Sequence, residues 1–131
     1  MAFKVYSTDK GNVPTIEYLP CGAITPKVGM ALVQTSGNLA IATGTDKPTY
    51  ISMCEKDSAC TAGDIIPVLR VAPDMIFETS FSAAPSSINL GDKVTLHASS
   101  GLQVTATTTS GVAEVIYKDG NASGDMCRVR F

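Results

Sequence analysis

The stretch Cys60-Thr61-Ala62-Gly63-Asp64-Ile65-Ile66-Pro67-Val68-Leu69-Arg70-Val71 decides the fold. It opens on a Gly-Asp turn and runs into residues that are mostly β-branched or leucine, which reads as a turn leading into a largely buried strand. The phrase returns in Leu90-Gly91-Asp92-Lys93-Val94-Thr95-Leu96-His97 and in Ser123-Gly124-Asp125-Met126-Cys127-Arg128-Val129-Arg130-Phe131. A looser form, Lys27-Val28-Gly29-Met30-Ala31-Leu32-Val33, comes earlier. Gly supplies positive φ or close approach, and Asp bonds its own backbone. Gly63, Asp64, Gly91, Asp92, Gly124 and Asp125 are therefore assigned as structural turn residues.

Outward from this phrase, apolar runs recur every eight to twelve residues with turns between them, the pattern of a β-sandwich or barrel. Ser36-Gly37-Asn38 marks a tight hairpin between Met30–Val33 and Leu39–Ala42. Further strands are predicted at Tyr50–Cys54, Met75–Phe81, Lys93–Ala98, Leu102–Thr107, Val112–Tyr117 and Met126–Phe131. Pro67 lacks a ladder donor, so its strand is predicted at an edge or with a bulge. Residues 82 to 87 read as a surface loop joining two halves of one barrel. No stretch of helical period extends for ten residues. The expectation is an all-β protein, a small barrel or sandwich spanning residues 21–131. An extended arm, residues 1–20, precedes it, and either pairs with the barrel, stays loose until a partner arrives, or is simply the first strand.

The chain has 131 residues, fit for one domain, with a net charge of −2 and 17% charged residues. No basic face suits nucleic acid, and no basic amphipathic stretch suits a membrane surface. No apolar run is long enough for a membrane span and no secretion signal opens the chain, so a cytoplasmic site of synthesis with reduced thiols is expected. Cys21, Cys54, Cys60 and Cys127 lack the paired spacing of zinc ligands, and His97 is the lone histidine; the thiols read as small buried hydrophobes. The aspartates at equivalent turns read as caps. Ser99 beside His97, or Cys127 across from it, has no orienting group for nucleophilic catalysis. No glycine-rich phosphate cradle occurs, and Asn121-Ala122-Ser123 is a sequon without a secretory context. The residues point to a non-enzymatic protein with no cofactor and no metal.

The run Ile24-Thr25-Pro26-Lys27-Val28-Gly29-Met30-Ala31-Leu32, then Gly37-Asn38-Leu39-Ala40-Ile41-Ala42, Ile51-Ser52-Met53 and Gly63-Asp64-Ile65-Ile66-Pro67-Val68 is similar in layout to small head-decoration proteins of tailed bacteriophages, of the lambda type or related capsid-associated β-barrels. The resemblance implies a non-enzymatic protein that binds the outside of an assembled head. It would act as a trimer, with the major capsid protein as partner, at the virion surface after synthesis in the bacterial cytoplasm. It carries no fixed contact residues over to this sequence. By position, Phe3, Val5, Tyr6, Ile16 and Tyr18 of the N-terminal segment are the expected contacts. Alternatives are another virion part (tail tube, head completion or fibre base), a small-ligand-binding barrel, or an enzyme using His97 with Cys127 or Ser99.

Overall fold

The computed structural model describes residues 1–131, with side chains described for all but Asp9. Ten strands run in chain order: β1 Lys4–Ser7, β2 Ile16–Cys21, β3 Ala31–Thr35, β4 Asn38–Ile41, β5 Tyr50–Ser52, β6 Asp64–Arg70, β7 Ile76–Ser80, β8 Lys93–Val94, β9 Ala113–Lys118 and β10 Met126–Arg130. They form an open sheet in the order β1-β7-β10-β9-β8 and a closed barrel in the order β2-β4-β3-β5-β6. The protein is all-β, with the two sheets packed together.

The recurring phrase builds one turn three times. Gly63, Gly91 and Gly124 have φ of 96°, 96° and 92°, a region open to glycine but strained for other residues. The N–H of each following aspartate donates to the carbonyl three residues back, at Thr61, Asn89 and Ala122. Each aspartate Oδ2 accepts the N–H of that same residue at 2.9 Å. Each glycine N–H then donates 2.8 Å into a neighbouring segment, at Cys21, Val115 and Phe81. Lys27–Met30 repeats the backbone, with Gly29 at φ 83° and Met30 N–H on Lys27 O, but without the carboxylate. The Ser36-Gly37 hairpin joins β3 to β4 as read, with both residues at positive φ.

Alternation along the barrel strands sorts apolar side chains into two cores. Leu32, Leu39, Ile66, Val68 and Cys21 fill the barrel interior. Ala31, Ala42, Ile51 and Leu69 belong instead to the larger core that Phe77, Phe81, Val115 and Val129 of the open sheet complete.

Residues 1–20 divide between the sheets. β1 pairs with β7, and β2 pairs with β6 along its whole length, so the open alternatives for this segment resolve to paired strands. Four features differ from the sequence reading, the first being that the strand expected at Lys93–Ala98 keeps ladder pairing only at Lys93–Val94. Pro67 lies on neither an edge strand nor a bulge, because β6 pairs without register shift with both β2 and β5. Its C=O accepts Met53 N–H at 3.0 Å, so its missing donor faces the line of β5 just beyond that strand's end at Ser52. Leu102–Thr107 is no regular strand. Its main chain bonds irregularly to residues on both sides, and only Val104 forms isolated bridges, with Phe81 and Leu96. The loop from residue 82 joins β7 to β8 within the open sheet, not two halves of one barrel. The barrel closes through a single parallel pair, Cys21 with Leu39, reinforced by Gly22 N–H on Leu39 O.

Removing one turn carboxylate gives up its bond to a backbone N–H that is then left to water, and Asp64→Ala, Asp92→Ala and Asp125→Ala should each lower stability by about 1 kcal/mol. Denaturant unfolding of the three variants checks this, with similar losses expected because the three turns share one geometry.

Candidate functional site

The strongest surface feature is an apolar wall on the outside of the barrel. Cross-strand partners share a face. The pairing of Ile16 with Leu69 and of Leu69 with Ile51 therefore sets these three in one row. The next row holds Tyr18, Pro67 and, through its hydrogen bond to Pro67, Met53. Pro20 and Ile65 form a third. The inner end of this wall is covered by the open sheet, while its outer end stays in solvent: Tyr18 is 69% exposed, Ile65 60%, Met53 45% and Ile16 44%. A contiguous exposed apolar face of this kind on a small protein marks a contact surface more often than it marks chance.

The five residues expected as contacts separate sharply. Ile16 and Tyr18 stand on the exposed wall. Tyr6 is exposed on the far face of the open sheet, where the Arg128 guanidinium lies 3.8 Å from its ring centroid and 4.7 Å from that of Tyr117. Arg128 Nε also donates to Glu78 Oε2 at 3.1 Å, so Tyr6 belongs to a fixed surface cluster away from the wall. Val5 is half-buried against the main core. Phe3 is buried and packs on Phe131 with ring centroids 5.5 Å apart, so it serves the core and is not presented to a partner. Sequence reasoning missed Ile65, Met53 and Val28. Ile65 was hidden because the Ile65–Leu69 run is apolar on both faces and gives no sign of which side is bare.

The six turn residues lie at three separated strand starts, and the structure brings no two of their carboxylates into one cleft-bound pair among its described hydrogen bonds. His97 Nδ1 accepts the N–H of Ser99 and Ser100 at 3.3 and 3.2 Å, which makes it the cap of its own turn. Burial pushes the Cys127 thiol up to about 12, the reverse of an activated nucleophile. Burial, and then the thiol of Cys60 beside it, likewise push Cys21 up to about 12. Arg70 Nε donates to Glu17 Oε2 at 2.6 Å, and that bond holds the Glu17 carboxyl below the usual carboxylate range. Among the described residues no group of three or more His, Cys, Asp or Glu side chains is arranged to hold a metal ion.

A second surface feature adjoins the wall. A groove of about 490 Å³ runs between β1 and the barrel, floored by Ile51 and Leu69 and flanked by Val5, Val28 and Met53. Its lining is almost wholly apolar, with Lys4 at the rim. No protein-family model and no curated protein matches the chain.

Two measurements check these placements. Truncating Phe3 to Ala should cost about 3–5 kcal/mol, as for a buried ring, whereas Tyr18→Ala on the exposed wall should stay within about 0.5 kcal/mol. In the folded protein iodoacetamide should label Cys54, which is partly exposed, well before the buried Cys21, Cys60 and Cys127, read by mass spectrometry. The raised thiols also set an alkaline limit. Between 9.0 and about 12 the unfolded chain ionises Cys127 while the folded chain does not, so its contribution is intact below 9.0 and is lost as pH rises toward 12. Cys127→Val should flatten that part of the stability profile.

Proposed function

We propose that this chain is a non-enzymatic docking protein of a tailed-phage virion, a decoration protein that binds the outer surface of the assembled head and stabilises it. The observation that carries the reading is the exposed apolar wall of Ile16, Tyr18, Ile65 and Met53 on a chain with only 17% charged residues. Such a wall suits a partner surface, and the resemblance of residues 24–68 to small head-decoration proteins supplies the partner: the major capsid protein. The reading places the chain at the virion surface and makes it a homo-trimer, with each copy adding a modest contact that is multiplied by avidity around the head. Low charge limits repulsion between copies set close together.

The filled barrel interior weighs against the reading as a small-ligand carrier, since Leu32, Leu39, Ile66 and Val68 occupy the space a ligand would need. The capped His97 and the buried, alkaline-shifted Cys127 weigh against the enzymatic one.

Light scattering of the purified chain, followed by co-sedimentation with empty tailed-phage heads, tests the proposal. The expected result is a trimer, or a monomer that pellets with heads, and at least a tenfold loss of pelleting in Tyr18→Glu/Ile65→Glu, with the circular dichroism unchanged. A closed ring of about six or more subunits would reassign the chain to a tail or head-completion part. A monomer that ignores heads would sink the virion reading.

A further inference from the structure

We infer that the groove between β1 and the barrel receives an extended segment of a partner protein as an added β-strand, apolar at alternate positions and carrying a carboxylate that meets Lys4. This inference concerns how a partner engages, and it holds whether or not that partner is a capsid.

The case starts from the edge. β1 ends the open sheet and pairs only with β7. Main-chain groups of successive strand residues point to opposite sides. Phe3 N–H donates 3.0 Å to Gly29 O, on the side away from β7. Val5, two residues on, therefore directs its N–H and C=O the same way, toward the groove. Gly29 makes this approach possible. A Cβ there would meet Phe3 O at 2.5 Å, so only glycine lets the two backbones lie this close. The Phe3–Gly29 bond is thus the first rung of a ladder whose next rung, at Val5, has no strand opposite.

A sheet edge specifies its occupant more narrowly than an apolar hollow does. An acyl chain or a flat ring would fill the groove but leave the Val5 N–H and C=O without partners in a partly dry site, which costs binding. An extended backbone satisfies both. Its side chains then alternate. One set drops between β1 and the barrel onto Ile51, Leu69, Val28 and Met53. The other set stands on the outer face beside Lys4 and Tyr6, both exposed. Lys4 is the cation at the groove's rim, and it forms no ion pair among the described residues, since the carboxylate of its cross-strand partner Glu78 is held by Arg128. A carboxylate on the incoming strand complements it. The groove, of about 490 Å³, lies along Lys4 and Val5, the part of β1 that precedes its register shift against β7, so the added strand pairs at Val5 and runs on past Gly29.

The test uses the full chain labelled with ¹⁵N and the peptide acetyl-Glu-Val-Thr-Val-Glu-Val-amide. Amide hydrogen exchange and chemical shifts are followed by NMR. In the free protein the Val5 amide should exchange fast. With saturating peptide it should slow at least tenfold, with shift changes centred on Val5, Val28, Gly29 and Met53. The same peptide N-methylated at alternate residues, which cannot complete the ladder, should bind at least tenfold more weakly. Lys4→Glu should weaken the acidic peptide about fivefold. Met53→Arg, a change at a half-exposed side chain, should abolish the response while leaving the rest of the spectrum in place. Slow exchange at Val5 in the free protein would show that the edge is already committed, and would overturn the inference. So would shifts confined to Ile16–Pro20, or equal binding of the N-methylated peptide.

Discussion

One wall of the barrel does two jobs, and the fold depends on it. Strands β3, β5 and β6 present alternate residues to a small core inside the barrel and to a larger core shared with the open sheet. Burial on both sides explains why Ile66 and Val68 face one way while Leu69 faces the other, with scarcely a polar residue between them. Each medium apolar side chain withdrawn from water contributes roughly 1.5–3 kcal/mol before entropy is counted. Two cores sharing one wall let a chain of this size bury a large share of its apolar surface. A one-residue slip in β6 would exchange the two cores, so its register is strongly specified.

Local features of this architecture are legible in the sequence, and long-range ones are not. The Gly-Asp turns are fully local: positive φ at the glycine, a main-chain bond across the turn and a carboxylate returning to the first N–H all lie within four residues. The Ser36-Gly37 hairpin is of the same kind. Pro67 misled because a missing donor forbids a partner only on one side of one residue. β5 ends at Ser52, and beyond it Met53 donates to the Pro67 C=O without needing a donor in return, so a proline sits inside a closed barrel. Leu102–Thr107 misled because its threonine-rich alternation reports propensity, while its hydrogen bonds divide between two neighbours out of step.

The candidate surface shows the same limit. Alternation over residues 15–19 puts Ile16 and Tyr18 on one face, though the strand runs on through Pro20 to Cys21, and it does not say whether that face is covered. Phe3 has the same local look and is buried, because Phe131 at the far end of the chain comes to lie on it. Nothing near Phe3 announces a partner 128 positions away (131 − 3). Met53 and Val28 enter the surface only because Met53 continues the line of β5 beside Pro67 and Val28 precedes the tight passage at Gly29, both products of tertiary register.

The barrel's closure has a mechanical consequence. Four of its five strand junctions are antiparallel ladders, but the seam between β2 and β4 is one parallel pair and a neighbouring glycine bond. The barrel is therefore a curled ribbon held by a single clasp. Strain applied around its circumference gathers at Cys21 and Leu39, while the ladders on either side stay intact. Releasing that clasp turns the cylinder into an open sheet without unpairing any antiparallel neighbours, a change of curvature that leaves the strand order as it was.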